Sequence, residues 1–299
     1  MKGLLVATVA FSALVAGPAV AADQRVKAPV YRAPPPPVLS WTGCYFGGNG
    51  GWVGGESEFA LAPAGRYLTP PAALAPPNIN GTGDFAVGVA ALSHSYRSDN
   101  SSFEGGVQVG CNNQLGNLVL GVEADWQKSG LSNSAVSSFA AFPDPGNPSF
   151  TDAAHTELVT SKLEWFSTLR GRLGFTPSNS LLLYGTAGLV TADLRSDTAV
   201  NFGTFPVSPV YNGASHVGSG SKLEFGMVVG AGAEWAFTSN WSAKAELLYF
   251  ELIDGLNYQS ALVAAAPAFA PGYAWSTKVN LHEAVARVGI NYRLSTLGH

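Results

Sequence analysis

Residues 223–252 read LEFGMVVGAGAEWAFTSNWSAKAELLYFEL. In the first half, Phe225, Met227, Val229, Ala231, Ala233, Trp235 and Phe237 alternate with Glu224, Gly226, Gly230, Gly232 and Glu234. Side chains on a strand point to opposite faces in turn, so this period of two describes a strand with one apolar and one polar face. The turn Thr238 to Asn240 is short, and a second alternating run, Trp241 to Leu252, follows it. If Phe237 faces Trp241, Glu234 stands opposite Lys244, and the two are expected to pair.

The same pattern recurs along the chain. Segments of this kind run from Trp41 to Val53, Phe103 to Asn112, Leu118 to Trp126, Leu163 to Phe175, Leu181 to Val190, Leu223 to Phe237, Trp241 to Leu252 and His282 to Leu294. Each is near the roughly 10 residues of a membrane-crossing strand. Connections after the second, fourth and sixth are short (Asn113 to Asn117, Thr176 to Ser180, Thr238 to Asn240), whereas those after the first, third, fifth and seventh are long. Tight turns at one end and long loops at the other predict an all-β fold: an eight-stranded antiparallel transmembrane β-barrel with short periplasmic turns and four long extracellular loops. Trp41, Trp235 and Trp241 fall at the short-turn ends and Trp52, Trp126 and Trp165 towards the long-loop ends, as two interfacial girdles require. A soluble lipocalin-like barrel also alternates, but it does not account for the loop asymmetry or the girdles.

Composition agrees. Of 299 residues, 46% are hydrophobic and 12% charged, and the net charge is -4. So little charge excludes a solvated disordered chain, and so mild an acidity gives no footprint for nucleic acid. Beyond the first residues no apolar run approaches the roughly 18 to 20 needed for a spanning helix. Residues 1–22 combine Lys2, an apolar run from Leu4 to Val15, Gly17-Pro18 and small residues to Ala22, which reads as a cleaved secretory signal. Residues 23–40 contain KAPVYRAPPPPVL, an extended proline-rich arm expected in the periplasm. Residues 41–299 form the expected barrel.

Four segments carry a resemblance to a known family: WTGCYFGGNGGW (Trp41 to Trp52), LVLGVEADW (Leu118 to Trp126), WFSTLRGRLGF (Trp165 to Phe175) and ARVGINYRL (Ala286 to Leu294). They resemble the small immunogenic outer-membrane barrels of alphaproteobacteria, the porin-family or opacity-like proteins with an OmpA-type eight-stranded barrel. The resemblance implies an integral protein of the outer membrane of a Gram-negative bacterium, with a structural or surface role and no catalytic residues. The chain departs from it twice. Leu294 is followed by Ser295 to His299, where family members usually end on an aromatic residue, and Cys44 and Cys111 replace residues more commonly aromatic.

An eight-stranded barrel is only wide enough for its own side chains, so the lumen should be packed. Its inward positions by pattern are Glu104, Glu123, Asp125, Glu164, Arg170, Arg172, Glu224, Glu234, Lys244, Glu246, Arg287 and Arg293, acids and bases together. Counting across the turn at Thr176 to Ser180 sets Arg172 opposite Tyr184 and places Tyr184, Thr186 and Gly188 inside. Cys44 and Cys111 fall on the outer face near the periplasmic end, where antiparallel pairing permits a disulfide; two small lipid-facing residues are the alternative.

His94, His155, His216 and His282 lie one each in or beside the four long loops. Converging imidazoles suit haem iron, zinc or copper, but no pair has ligand spacing within a loop, and scattered exposed histidines remain the plainer reading. His94-Ser95 is the nearest thing to a catalytic pair, without an acid placed by spacing, so no enzyme and no cofactor are expected. Two loop stretches, ALAPAGRYLTPPAALAPPNI (60–79) and ALVAAAPAFAPGYAW (261–275), are unusually apolar. The expected role is structural, in envelope integrity and surface contact, with a small-solute channel or haem- or metal-binding surface protein as alternatives. Outer-membrane lipid, lipopolysaccharide, the barrel assembly machinery and an unidentified extracellular partner are the expected contacts.

Overall fold

In the computed structural model, residues 39–65, 92–143, 151–152, 154–203, 215–264 and 273–294 are described. The signal segment and nearly all of the proline arm lie outside these, as do most residues of the two apolar loop stretches. The strands are β1 (Gly43–Gly65), β2 (His94–Leu115), β3 (Leu118–Phe139), β4 (Phe142–Pro143), β5 (Thr151–Asp152), β6 (His155–Ser178), β7 (Leu181–Phe202), β8 (Ser215–Ala236), β9 (Trp241–Leu252), β10 (Leu256–Ala264) and β11 (Tyr273–Arg293). Antiparallel pairing runs β1-β2-β3-β6-β7-β8, continues through β9 and β10 to β11, and closes from β11 back to β1. β9 and β10 are two halves of one stave, broken where Gly255 takes φ 66°. The barrel therefore has eight staves, with β4 and β5 a small separate ribbon.

Three short connections lie at one end, and two of them, Gly116-Asn117 between β2 and β3 and Asn179-Ser180 between β6 and β7, are two residues long; in the first, Gly116 at φ 63° meets the left-handed requirement of a two-residue hairpin. The staves are longer than the expected crossings. Strand β2 has 22 residues, which at about 3.3 Å per residue and a tilt of about 40° rise about 55 Å, twice the roughly 25 Å apolar band. Much of what reads as long loop is strand, projecting beyond the membrane on the extracellular side.

Around the lower half, large apolar side chains face outward, among them Val107, Leu169, Leu189, Met227, Val229, Leu247 and Val288. Trp235 and Trp241 bound this band below, and Trp52 and Trp126 bound it above. Trp165 is half-buried beside a bulge, and Trp41 is a correction: it is buried at the foot of the lumen, its ring under Arg293, and belongs to no girdle. Aromatic residues near strand ends serve as plugs as well as girdles, and the residues just before β1 turn inward.

Inside, three layers succeed one another. Trp41, Val119, Leu182, Tyr184 and Ala236 close the periplasmic end. Charged side chains fill the middle. Above them an apolar core, including Phe166, Phe250, Leu163, Leu248, Leu194 and Trp275, fills the projecting half. The alternation thus inverts along most staves, β2 being the exception: greasy outside and polar inside within the membrane, then apolar inside beyond it, because the outer face then meets water.

Candidate functional site

The middle layer is a closed network. Arg170 donates from Nη1 to Glu246 Oε1 at 2.8 Å, and from Nη2 to Glu123 Oε1 at 2.6 Å and Asp125 Oδ2 at 2.8 Å. Its Nε donates to Thr168 Oγ1 at 2.9 Å. Arg287 reaches Asp125 Oδ2 at 2.8 Å and Glu246 Oε2 at 2.7 Å. Lys244 Nζ donates to Glu123 Oε1 at 2.9 Å, and Arg172 Nη2 to Glu234 Oε2 at 2.9 Å. Arg172 also lies over the Tyr184 ring at 3.8 Å and donates to the Tyr45 hydroxyl, which in turn donates to Glu123 Oε2 at 2.7 Å. Four carboxylates (Glu123, Asp125, Glu234, Glu246) meet four bases (Arg170, Arg172, Lys244, Arg287), so the layer carries no formal excess. Every one of these side chains is buried.

Buried charges are tolerable only when paired and hydrogen bonded, because the low-dielectric interior offers no water to replace the partner. Side chains from β3, β6, β8, β9 and β11 meet here, so the network ties together staves that do not touch along the wall. Tyr45, which inward counting along β1 would have found by its parity with Gly47 and Asn49, completes it.

Several expected positions differ. Glu164 is not in the lumen. The register slips by one between Leu163 and Trp165, which turns Leu163 inward and leaves Glu164 on the outer face beside Arg195 at 3.2 Å and Lys128 at 3.7 Å. Glu234 and Lys244 are Cα partners as expected, but they do not form the expected pair. Arg172 stands opposite Thr186, not Tyr184, because the register shifts again between Phe175 and Ser178; Tyr184 and Thr186 nevertheless point inward. Arg293 faces inward below the network, donating to the Ser40 carbonyl. Glu224 is buried higher up and paired with Lys222 at 2.9 Å. Glu104 is buried, and neither of its carboxylate oxygens accepts a hydrogen bond from the described residues.

Cys44 and Cys111 are directly opposed on β1 and β2 and joined by a disulfide, with Cα atoms 3.9 Å apart. Both lie on the outer face.

At the extracellular rim the histidines separate. His94 stacks on Phe139 at 4.0 Å, and His155 stacks on Phe139 at 4.7 Å and on Phe202 at 4.9 Å. His94 Nδ1 is 3.1 Å and His155 Nε2 3.3 Å from Glu157 Oε1, and the Tyr96 hydroxyl donates to Glu157 Oε2 at 2.5 Å. Burial pushes the Glu157 carboxyl up, but hydrogen bonds from His155, Tyr96 and His94 together hold it below its ordinary value. His216 packs near Phe202 and Trp275, where burial lowers its imidazole to about 4 against a smaller opposing bond with the Val200 backbone. His282 stands apart on the outer face of β11, 3.7 Å from Glu251. The four histidines therefore form no single cluster. His94-Ser95 is not a catalytic pair either, since adjacent strand residues face opposite ways and Ser95 points outward.

A closed ring of antiparallel staves, with a lipid-facing band below and a salt-bridged lumen, defines a transmembrane β-barrel of the outer membrane. The chain belongs to the outer membrane protein beta-barrel domain family, matched over residues 40–293. It is 33% identical over 295 residues to the 31 kDa outer-membrane immunogenic protein of Brucella melitensis biotype 1, covering 98% of this chain and 100% of that one. It is 30% identical over 220 residues to the 22 kDa outer membrane protein of Rhizobium leguminosarum bv. viciae, covering 73% and 67%. Among solved structures, the outer membrane protease OmpT of Escherichia coli aligns at TM-score 0.40 and 10% identity, over 85% of this chain and 98% of that one. The N-terminal barrel of Pseudomonas aeruginosa OprF aligns at 0.28 and 12%, over 82% and 98%. The expected family and outer-membrane location are thus confirmed.

Proposed function

We propose that this barrel serves the envelope as a structural element, and that its projecting half makes surface contacts. The observation that carries the reading is the lumen itself: three successive layers fill it, and the charged layer spends its groups on one another rather than on a path or a reacting centre. A small-solute channel would need a continuous wet path, and catalysis an acid or base directed towards an open cleft. Outer-membrane lipid and lipopolysaccharide are the proposed neighbours of the band, the barrel assembly machinery its route into the membrane, and an extracellular ligate of unknown identity the contact of the projecting staves. Planar-bilayer recording of the refolded chain tests this. The expected trace lacks reproducible ion-selective steps, whereas such steps would establish the channel instead. Deletion of the gene should sensitise cells to detergent, with rescue by the intact chain.

A further inference from the structure

We infer that His94, His155 and Glu157 form a binding site for a divalent transition-metal ion at the extracellular rim. One ligand atom from each lies within 4.8 Å of the others. Bonds of about 2.0 to 2.2 Å in a tetrahedral shell set neighbouring ligand atoms about 3.3 to 3.5 Å apart. The two nitrogen–oxygen separations, 3.1 Å and 3.3 Å, are close to that edge, so an ion can replace the present hydrogen bonds with little rearrangement. Two imidazoles and a carboxylate are a donor set suited to zinc and its neighbours rather than to calcium or magnesium, which prefer all-oxygen shells.

The surroundings are those of a built site. The His94 and His155 rings are held by stacking on Phe139 and Phe202, which fixes their directions before any ion arrives. Tyr96 holds the second oxygen of Glu157, the outer-shell role that orients a ligating carboxylate. His155 and Glu157 are buried, while the His94 side chain is 21% exposed, which leaves a way in and a fourth position for water. Among the described residues, Glu157 has these two imidazoles as its ion-pair partners and no lysine or arginine.

Its place in the wall suggests what the ion does. Backbone pairing between β2 and β3 stops at Glu104 and Ser129. Above that level side chains bridge the seam, Ser98 donating to the Ser134 carbonyl and Asn100 to that of Ser132. An ion held by His94 of β2 and by His155 and Glu157 of β6, which pair with Phe139 and Ser137 of β3, would tie β2 to β6 across β3 and so hold the open end of the seam closed. The inference stands independently of the envelope role, because metal binding and conductance are read separately.

The test uses the untagged mature chain refolded in detergent, with folding checked by heat-dependent mobility on SDS gels. Zn²⁺ is titrated in competition with a chromophoric chelator, and Co²⁺ is followed by its visible absorption. Saturable binding of one ion per chain is expected, with slower proteolysis of the projecting half. His94→Ala should abolish binding, Tyr96→Phe should weaken it by about tenfold, and His282→Ala should leave it unchanged. Should Glu157→Gln fail to fold, the partly exposed His94 decides the matter. Absence of saturable binding to the folded chain, or unaltered affinity in His94→Ala, overturns the site.

Discussion

Glu234 and Lys244 stand directly opposite each other across the β8–β9 hairpin, and each is neutralised by a third residue: Glu234 by Arg172 at 2.9 Å, Lys244 by Glu123 at 2.9 Å. Neighbours on the wall are thus not the partners that matter. The long basic side chains reach across the lumen, so the network links distant staves and opposes any opening of the ring.

Arg170 is the hub of that network. Arg170→Met should destabilise the barrel by about 3 to 5 kcal/mol, because Glu123, Asp125 and Glu246 lose a shared cation they cannot exchange for water. Urea unfolding in lipid vesicles checks this. Glu164→Ala, on the exposed outer face, should cost no more than about 1 kcal/mol. In double-mutant cycles Arg172 with Glu234 should couple, and Glu234 with Lys244 should show almost no coupling.

The Cys44–Cys111 disulfide closes a separation of 67 residues in the unfolded chain. Replacing both cysteines by serine should lower unfolding stability by about 2 to 4 kcal/mol. After unfolding, the native chain should run faster on non-reducing than on reducing gels; equal mobility would contradict the bond.

Val229 faces outward within the apolar band. Val229→Lys should therefore cost about 2 to 4 kcal/mol near the bilayer midplane. Ser95→Lys, outward but on the projecting half, should stay within about 0.5 kcal/mol. Vesicle unfolding of the two variants compares a lipid-facing surface with a water-facing one on the same barrel.

His216 supplies a pH dependence for the projecting half. Its folded-state pKa, about 4, lies below the ordinary imidazole value of 6.5, so the unfolded chain binds the extra proton between these limits. Stability from this residue is complete above about pH 6.5 and is lost as pH falls towards 4. Phe202 and Trp275 are its close aromatic neighbours, and His155, stacked on Phe202, is the next titratable group. The protection of β8 amides against hydrogen exchange, taken relative to the intrinsic rate at each pH, should fall between pH 7 and pH 5, and His216→Phe should flatten that change.

Much of the barrel was legible because its signals are local. Alternation along Leu223 to Phe237 reports which side of a pleated backbone meets lipid, and the three-residue turn before Trp241 was enough to set Glu234 across from Lys244. The inward placement of Glu123, Asp125, Arg170, Arg172, Glu246 and Arg287 followed from the same period of two. The outward extension of the staves was hidden, since beyond the membrane the apolar side turns inward and the small polar residues facing water read as loop.

The sequence by itself determined the class of fold, the number of staves, their direction through the membrane and all but one of the charges it placed in the interior, because each follows from neighbours along one strand. Only the tertiary structure decided that a one-residue bulge expels Glu164, that Trp41 folds under Arg293, which acid meets which base, and that His94 joins His155 and Glu157 while His282 does not. A bulge carries no distinctive residue, and contacts across a lumen depend on how a twisted sheet curves and closes. Partners 40 or more residues apart meet there through the shape of the ring and the reach of their side chains.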